Sequence, residues 1–463
     1  MSFETAAFSV FGVVLGLLGL TGIAAAAGNA GALRLLHGAV HVEPTEVRPM
    51  LVACLYFFCT LASYFILRPI RDAMAVASGA RNLPWLFTAT LSAMILFHPV
   101  YSSLVARFPV KKFVALTYAF FAANLVAFFF VWKSGVSELW TGRVFYVWTS
   151  VFNLFVISVF WSVMVDTFRT AQAKRLFGFI AVGGTIGSVT GSAITAFFVD
   201  EIGTTNLLLV SVCLLLAAAA LVANFPRVPH VDDGTAGAPV VDHQQQLIGG
   251  SVLAGVLSIF RSRYIAGIAV FLVLYTVGST LLYSSQTDII GRFYTDRDTQ
   301  TLVLARMELA TQVIAALGQA FLTARIIRVA GLSVTLAVVP VISMLGFAAL
   351  GATAWGITPL LGTFIAFNVL RRSSEFMLGN PSRKILFTVL NREDKYKASS
   401  FVETSVYRLG DQIGVWGFRG LTGAGLLLTG VSWVAVPLSA LFMVMGIWLG
   451  RRQRELAAAA GAG

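Results

Sequence analysis

The chain has 463 residues, of which 57% are hydrophobic and only 12% are charged, and its mean hydropathy is +0.83. Soluble domains carry roughly 25% charged residues, so this composition excludes an ordinary soluble fold and implies many membrane spans. The net charge of +12 comes from 33 Lys and Arg against 21 Asp and Glu. No nucleic-acid partner is expected from it, because the basic residues gather in short loops on one side of the apolar runs.

In chain order, residues 1–45 read as a hydrophobic helix followed by a cytoplasmic lead-in. Ala6 to Ala27 is long and apolar enough to be a span or a surface-lying helix, and the span is preferred. The opening Met-Ser-Phe-Glu-Thr has no basic residue, which argues against a signal peptide. Twelve runs of membrane length come after it, near 50–70, 85–106, 113–132, 145–165, 178–199, 206–224, 265–285, 303–323, 332–353, 357–377, 408–429 and 431–449. Six lie in a first half, 46–225, and six in a second, 264–450. The cytoplasmic linker between them, 226–263, is rich in Pro, Gly, Asp and Gln, and its part from Ile248 to Tyr264 suits an amphipathic helix on the cytoplasmic face. Residues 451–463 form a basic tail.

Orientation follows from the loop charges. If the loop before the first span is cytoplasmic, that side holds 24 Lys and Arg and the other holds 8, with Arg419 inside the eleventh span. The bias predicts a multi-pass inner-membrane protein with a cytoplasmic C-terminus. An all-α integral membrane fold of two six-helix halves joined by a long cytoplasmic loop resembles the major facilitator-type transporters, whose site lies between the halves at mid-membrane.

Charges within apolar runs single out the candidate site. Tyr64-Phe-Ile-Leu-Arg-Pro-Ile-Arg-Asp-Ala-Met74 places Arg68, Arg71 and Asp72 at or just inside the end of the first span. Such groups are expensive in hydrocarbon and mark substrate or ion pathways. Arg68 and Arg71 are three apart and share a helix face, a ready clamp for phosphate or carboxylate, although an Arg–Asp structural pair at the interface fits the same residues. Pro69 is expected to bend or end the helix. The fourth span contains Asn153 and ends at Asp166, which Lys174 or Arg175 could latch. In the fifth, Gly183, Gly187 and Gly191 fall at i, i+4 and i+8, a small-residue ridge for close helix contact.

Tyr283 closes the seventh span. Arg306 and Glu308 of the eighth lie two apart and so need separate partners. Arg371, Arg372 and Glu375 fall at i, i+1 and i+4 near the end of the tenth span, so that Arg371 can pair with Glu375 and leave Arg372 for a ligand. Arg408, Asp411, Gln412 and Arg419 enter the eleventh. Cys54, Cys59 and Cys213 lie in apolar runs and the five His are scattered, so no metal site is expected. Neither a Walker A loop nor a dinucleotide fingerprint nor a nucleophile elbow is present, which argues against an ATPase or other enzyme and gives no reason to expect a cofactor.

These residues also resemble a family. Leu67-Arg-Pro-Ile-Arg-Asp72 is similar to the Leu-Arg-Asp-Thr-Lys-Asp motif of the ATP/ADP (NTP/NDP) carrier proteins. Ala173-Lys-Arg-Leu-Phe177 is similar to their Ala-Lys-Arg-Phe-Tyr. Asn380-Pro-Ser-Arg-Lys384, Phe387 and the tract from Glu393 to Lys397 resemble their segment that begins Asp-Pro-Thr-Lys-Glu and continues through Tyr-Ile-Pro-Leu to a lysine. The chain looks most like the unassigned bacterial, facilitator-like branch, with its Leu-Arg-Pro-x-Arg-Asp signature. Three of the carriers' charges change here. One glutamate falls at Thr149 or Ser150, another at Tyr283, and Gly-Lys becomes Gly410-Asp411.

The resemblance implies a secondary transporter. Arg68, Arg71 and Arg372, with Tyr283 and Asn153, are expected to hold a small anionic metabolite, a nucleotide among the candidates. Asp72, Asp166, Glu308, Glu375 and Asp411 are expected to couple or gate, with protons as a candidate co-substrate. The expected assembly is a monomer in the lipid bilayer. Two other readings keep the fold: a proton-coupled exporter of an amphipathic or lipid-like compound, and a non-transporting membrane scaffold or sensor.

Overall fold

The computed structural model describes residues 42–107, 110–226, 262–390, 399 and 401–461. The expected N-terminal helix, the linker helix and the basic tract from Glu393 to Lys397 lie outside the described residues. The described chain is helical throughout. The elements are α1 (Val47–Ser78), a 3-10 turn (Ala80–Asn82), α2 (Leu83–Arg107), α3 (Val110–Lys133), α4 (Glu138–Thr167) and α5 (Thr170–Ala223). Then come α6 (Arg263–Phe293), α7 (Arg297–Phe321), α8 (Thr323–Ala352), α9 (Leu360–Ser374), a π-turn (Glu375–Gly379) and α10 (Asn380–Leu386). A second π-turn (Val402–Val406) leads into α11 (Tyr407–Gly423), and α12 (Leu428–Gly461) is the last described element. No β-strand occurs among the described residues.

The twelve apolar runs all fall on helices. Eight described helices are long and apolar enough to cross a membrane: α1, α3, α4, α5, α6, α7, α8 and α12. α5 carries two of the runs as two helical segments that meet at Gly203, where φ is 78° and ψ 153°. Glycine reaches that left-handed φ without Cβ strain, so the chain turns there between the fifth and sixth runs. α9 has only 15 residues and α11 only 17, and each is prolonged by a π-turn at one end.

Pro69 neither ends α1 nor moves Arg68, Arg71 and Asp72 to a helix terminus. The helix passes through Pro69 and runs on to Ser78. Proline deletes one N–H bond and sterically disfavours the preceding turn, but flanking packing tolerates it within membrane helices. At 1.5 Å per residue the 32 residues of α1 are about 48 Å long, well beyond the roughly 30 Å hydrocarbon core. The charged cluster therefore sits inside the helix, with Asp72 6% exposed.

By packing, the chain forms two compact units. The first comprises Met1–Ser78, Ala89–Asp233 and Tyr294–Val313, and the second Gly79–Thr88, Gly234–Phe293 and Ile314–Gly463. In the first unit α1 lies against α5 along the predicted glycine ridge. A Cβ at Gly183, Gly187 or Gly191 would collide with the backbone oxygen of Cys54, Phe58 or Ala62 respectively. The two four-residue rows mesh, which is how small residues bring helix backbones together. Beside this seam, Phe57 stacks on Phe160 with ring centroids 3.9 Å apart, and the Tyr56 and Tyr118 hydroxyls meet at 2.7 Å. α7 is capped by Asp296, whose carboxylate accepts the Thr299 N–H at 2.8 Å and the Thr299 hydroxyl at 3.0 Å. These bonds hold the Asp296 carboxyl below the usual carboxylate range.

In the second unit the core joins Tyr264, Ile268, Phe271 and Leu272 of α6 to Leu332 and Leu336 of α8 and Phe442 and Leu449 of α12. α11 approaches α6 through Gly410 and Gly414, where a Cβ would press on Thr276 and Thr280.

Candidate functional site

Each unit holds a buried polar cluster, and the predicted residues divide between them. In the first unit, α1 carries Arg68 and Arg71 on one face, as their three-residue spacing requires. Arg68 Nη1 donates to Glu308 Oε1 of α7 at 3.0 Å. Glu308 is 2% exposed and also accepts the Gln312 amide at 2.8 Å. The Ser188 hydroxyl of α5 donates in turn to Gln312 Oε1 at 3.2 Å. One chain of bonds thus joins three helices, with Glu308 and Gln312 of α7 between Arg68 of α1 and Ser188 of α5. Arg68 Nε is enclosed and makes no hydrogen bond, while its guanidinium lies 5.6 Å from the Phe65 ring centroid.

Arg71 turns to its neighbour. Its Nε and Nη2 donate to Asp72 Oδ1 at 3.0 and 2.7 Å, and its guanidinium lies 5.4 Å from the Tyr146 ring centroid. Two guanidiniums and two carboxylates balance, as buried charge demands. The donors are correctly shaped for an anion, but each is now held by an internal carboxylate.

The other predicted residues of this unit are not drawn into the cluster by any of these bonds. Asn153 is half-buried and its Oδ1 has no hydrogen-bond partner. Asp166 is exposed at the end of α4. The latch expected between Asp166 and Arg175 is replaced for Arg175 by Glu46, at 2.9 Å, which also accepts Gln172 Nε2 at 2.9 Å. Glu46 precedes α1 and is 3% exposed. Its buried position ahead of the helix brings it within reach of the start of α5.

The second unit contains Arg372, Tyr283, Glu375 and Asp411. The expected Arg371–Glu375 pair does not form. Arg371, 2% exposed, donates instead to Ser343 Oγ at 2.8 Å, Ser279 Oγ at 3.0 Å and the Tyr275 carbonyl at 3.3 Å. Glu375 pairs with Arg383, which also bonds Asn380 Oδ1. The backbone register of the predicted pair is intact, since the Glu375 N–H still bonds the Arg371 carbonyl. The π-turn from Glu375 to Gly379 follows at once, and Arg383 beyond it takes the carboxylate instead. Gly379 makes room, since a Cβ there would meet the Glu375 carboxylate. Both guanidiniums face the Tyr275 ring, Arg371 at 5.4 Å and Arg383 at 4.6 Å.

Arg372, next on α9, is half-buried. Tyr283 is half-buried with its ring 5.8 Å from that of Phe87. Asp411, 7% exposed, accepts the Thr280 hydroxyl at 3.2 Å and Arg408 Nη1 at 3.3 Å. Arg383 and Gln312 were absent from the predicted site. Arg383 sits eight residues after Glu375, close to two helical turns, and that spacing is the one signal pointing to it. Among the described residues no group of three or more His, Cys, Asp or Glu could hold a metal ion.

Comparison with known proteins adds the family. The model of the TLC ATP/ADP transporter family matches residues 129–454. ADP,ATP carrier protein 1 of Chlamydia muridarum is 23% identical over 480 residues, which cover 90% of this chain and 89% of that protein. ADP,ATP carrier protein 3 of Rickettsia prowazekii is 24% identical over 187 residues, 34% of this chain and 37% of that protein. Among solved structures, an auto-inhibited POT family peptide transporter shares the fold with a TM-score of 0.58 at 13% identity, covering 88% of this chain and 97% of that one. The nucleoside transporter NupG does so with a TM-score of 0.55 at 13% identity, covering 89% and 99%. At such identities these structures show the fold alone, which is that of the major facilitator-type transporters. The buried, balanced charges within long apolar helices, this fold and a family match over most of the chain agree: the protein belongs to the TLC ATP/ADP transporter family and is a multi-pass membrane transporter, not an enzyme.

Proposed function

We propose that the protein is a secondary transporter of an anionic phosphorylated metabolite, a nucleotide, moved across the inner membrane by alternating access with the C-terminal tail in the cytoplasm. The observation that carries this reading is the balanced cluster on α1, in which Arg68 and Arg71 are held by Glu308 and Asp72. A phosphate entering the cluster takes over the guanidiniums bidentately and releases the carboxylates. The guanidiniums keep an anionic partner throughout, and the released carboxylates, both buried, stay compensated by taking up protons. Freed Glu308 then no longer ties α1 to α7, and this change in helix pairing is the conformational step. Asp72, Glu308, Glu375 and Asp411 are the groups that take a proton where the cycle uses one. Asn153 of the same unit is the further substrate contact.

Relatives named ADP,ATP carrier proteins support nucleotides as the substrate class. The three altered charges argue for a cargo other than an ATP-for-ADP pair. Thr149 and Ser150, where the carriers have a glutamate, bond only the carbonyls of Phe145 and Tyr146 in their own helix, at 2.8 and 2.9 Å. The test is counter-flow in proteoliposomes loaded in turn with ADP, other nucleotides and sugar phosphates. Labelled substrate should enter against at least one of them, and Arg71→Ala should abolish that uptake while still reaching the membrane. Undiminished uptake by the variant would remove Arg71 from the site. No counter-flow with any phosphorylated anion would overturn the substrate class.

A further inference from the structure

The second unit contains a cavity of about 530 Å³, separate from the Arg371 cluster. It opens where α6 and α11 end, where the 3-10 turn leads into α2, and where α12 begins. Arg81 of that turn, Arg292 of the last turn of α6 and Arg419 of α11 line it, together with Asp288. Asp288 is engaged by Arg292 at 2.7 Å. Among the described residues neither Arg81 nor Arg419 has a carboxylate partner. Two positive charges are therefore left over.

Arg419 is held in place without being satisfied. Its guanidinium lies 5.9 Å from the Trp85 ring and 5.4 Å from the Trp416 ring, and these rings meet edge to face at 5.2 Å. Its Nη1 is enclosed and has no hydrogen-bond partner. A basic residue in the last turn of a helix is favoured by the helix dipole, which accounts for Arg292. It does not account for Arg81, which precedes a helix, nor for an enclosed Nη1 left without an acceptor. The loop-charge bias makes the cluster stranger, because this end of the bundle is the one poor in Lys and Arg.

We propose that the cavity binds a phosphate group, contributed either by a soluble phosphorylated metabolite or by an anionic phospholipid headgroup. Guanidiniums converging on one space suit phosphate oxygens, which they bind in bidentate pairs. The volume lies within the range of roughly 300–1,000 Å³ usual for small-molecule sites. Trp85 and Trp416 fix one donor, so little side-chain freedom is lost on binding. The site is independent of the transport reading and stands or falls without it.

The experiment is thermal unfolding of the full chain in nanodiscs, with two probes. One is inorganic pyrophosphate added to phosphatidylcholine discs. The other is replacement of phosphatidylcholine by phosphatidylglycerol. Stabilisation by pyrophosphate that weakens about tenfold in apparent affinity in Arg81→Gln/Arg419→Gln assigns the site to soluble phosphate. Stabilisation by phosphatidylglycerol alone, lost in the same variant, assigns it to lipid. Asp288→Asn frees Arg292 and should tighten whichever response is present several-fold, a gain that misfolding cannot imitate. Responses insensitive to all three substitutions overturn the proposal. So does a pyrophosphate response that disappears in Arg71→Ala but persists in the Arg81/Arg419 variant, since the binding then belongs to the α1 cluster.

Discussion

Glu308 is held by donors from two helices, and its loss should be felt accordingly. It accepts Arg68 at 3.0 Å and Gln312 at 2.8 Å while 2% exposed. Glu308→Ala leaves Arg68 uncompensated in a largely buried position and should destabilise the protein by roughly 3–5 kcal/mol. The pair Arg68→Met/Glu308→Leu removes both charges and should lose far less. Unfolding midpoints of the three proteins in one detergent decide the matter, and equal losses for the single and double variants would contradict the pairing. At this scale the sequence was legible where charge is rare. Arg68, Arg71 and Asp72 stand out in an apolar run, and Glu308 stood out as a charge lacking a partner on its own helix. Arg383 did not stand out, because it lies in a tract where basic residues are expected for topology alone. Its eight-residue spacing from Glu375 was the one signal, and no pattern of residue types announces the π-turn that lies between them.

Glycines divide by what lies opposite them, and this separates packing from propensity at the scale of helices. Gly187 of α5 faces the Phe58 carbonyl of α1, with the Ala62 N–H also within contact of an added Cβ. Backbone cannot yield as a side-chain tip can, so Gly187→Ala should destabilise by about 1–3 kcal/mol through overpacking. Gly417 of α11 has no atom within 4 Å of the same added Cβ. There Gly417→Ala should stabilise by roughly 0.5–1 kcal/mol from helix propensity. Opposite shifts in unfolding temperature are expected, and a destabilised Gly417→Ala would mean that α11 packs elsewhere. The i, i+4, i+8 spacing made the α5 ridge readable in advance. Its partner row on α1, at Cys54, Phe58 and Ala62, was not readable, because Phe58 interrupts the small residues and hides the close approach of its own backbone. The continuation of α1 past Pro69 was also hidden, since it depends on neighbours that surround the proline.

For the whole molecule, run length carried most of the architecture. Apolar runs of about 20 residues have few alternatives to spanning helices, which is why all twelve fell on helices. The grouping of helices was not legible in the same way. α2 and α7 are each divided between the two compact units, after Thr88 and after Val313, and such sharing leaves no trace in composition. Orientation rests on the three-to-one bias of Lys and Arg between the two sets of loops, and it can be tested directly. With Cys54, Cys59 and Cys213 replaced by serine or alanine, Val136→Cys in the loop after α3 and Ala457→Cys in the tail are single probes at exposed positions. A membrane-impermeant maleimide should label Val136→Cys in intact cells and Ala457→Cys only after lysis. Loops rich in basic residues stay on the cytoplasmic side of an insertion event, so the reverse pattern would invert every loop at once. It would also place Arg81, Arg292 and Arg419 on the side where cytoplasmic phosphates, rather than external ones, reach the cavity they line.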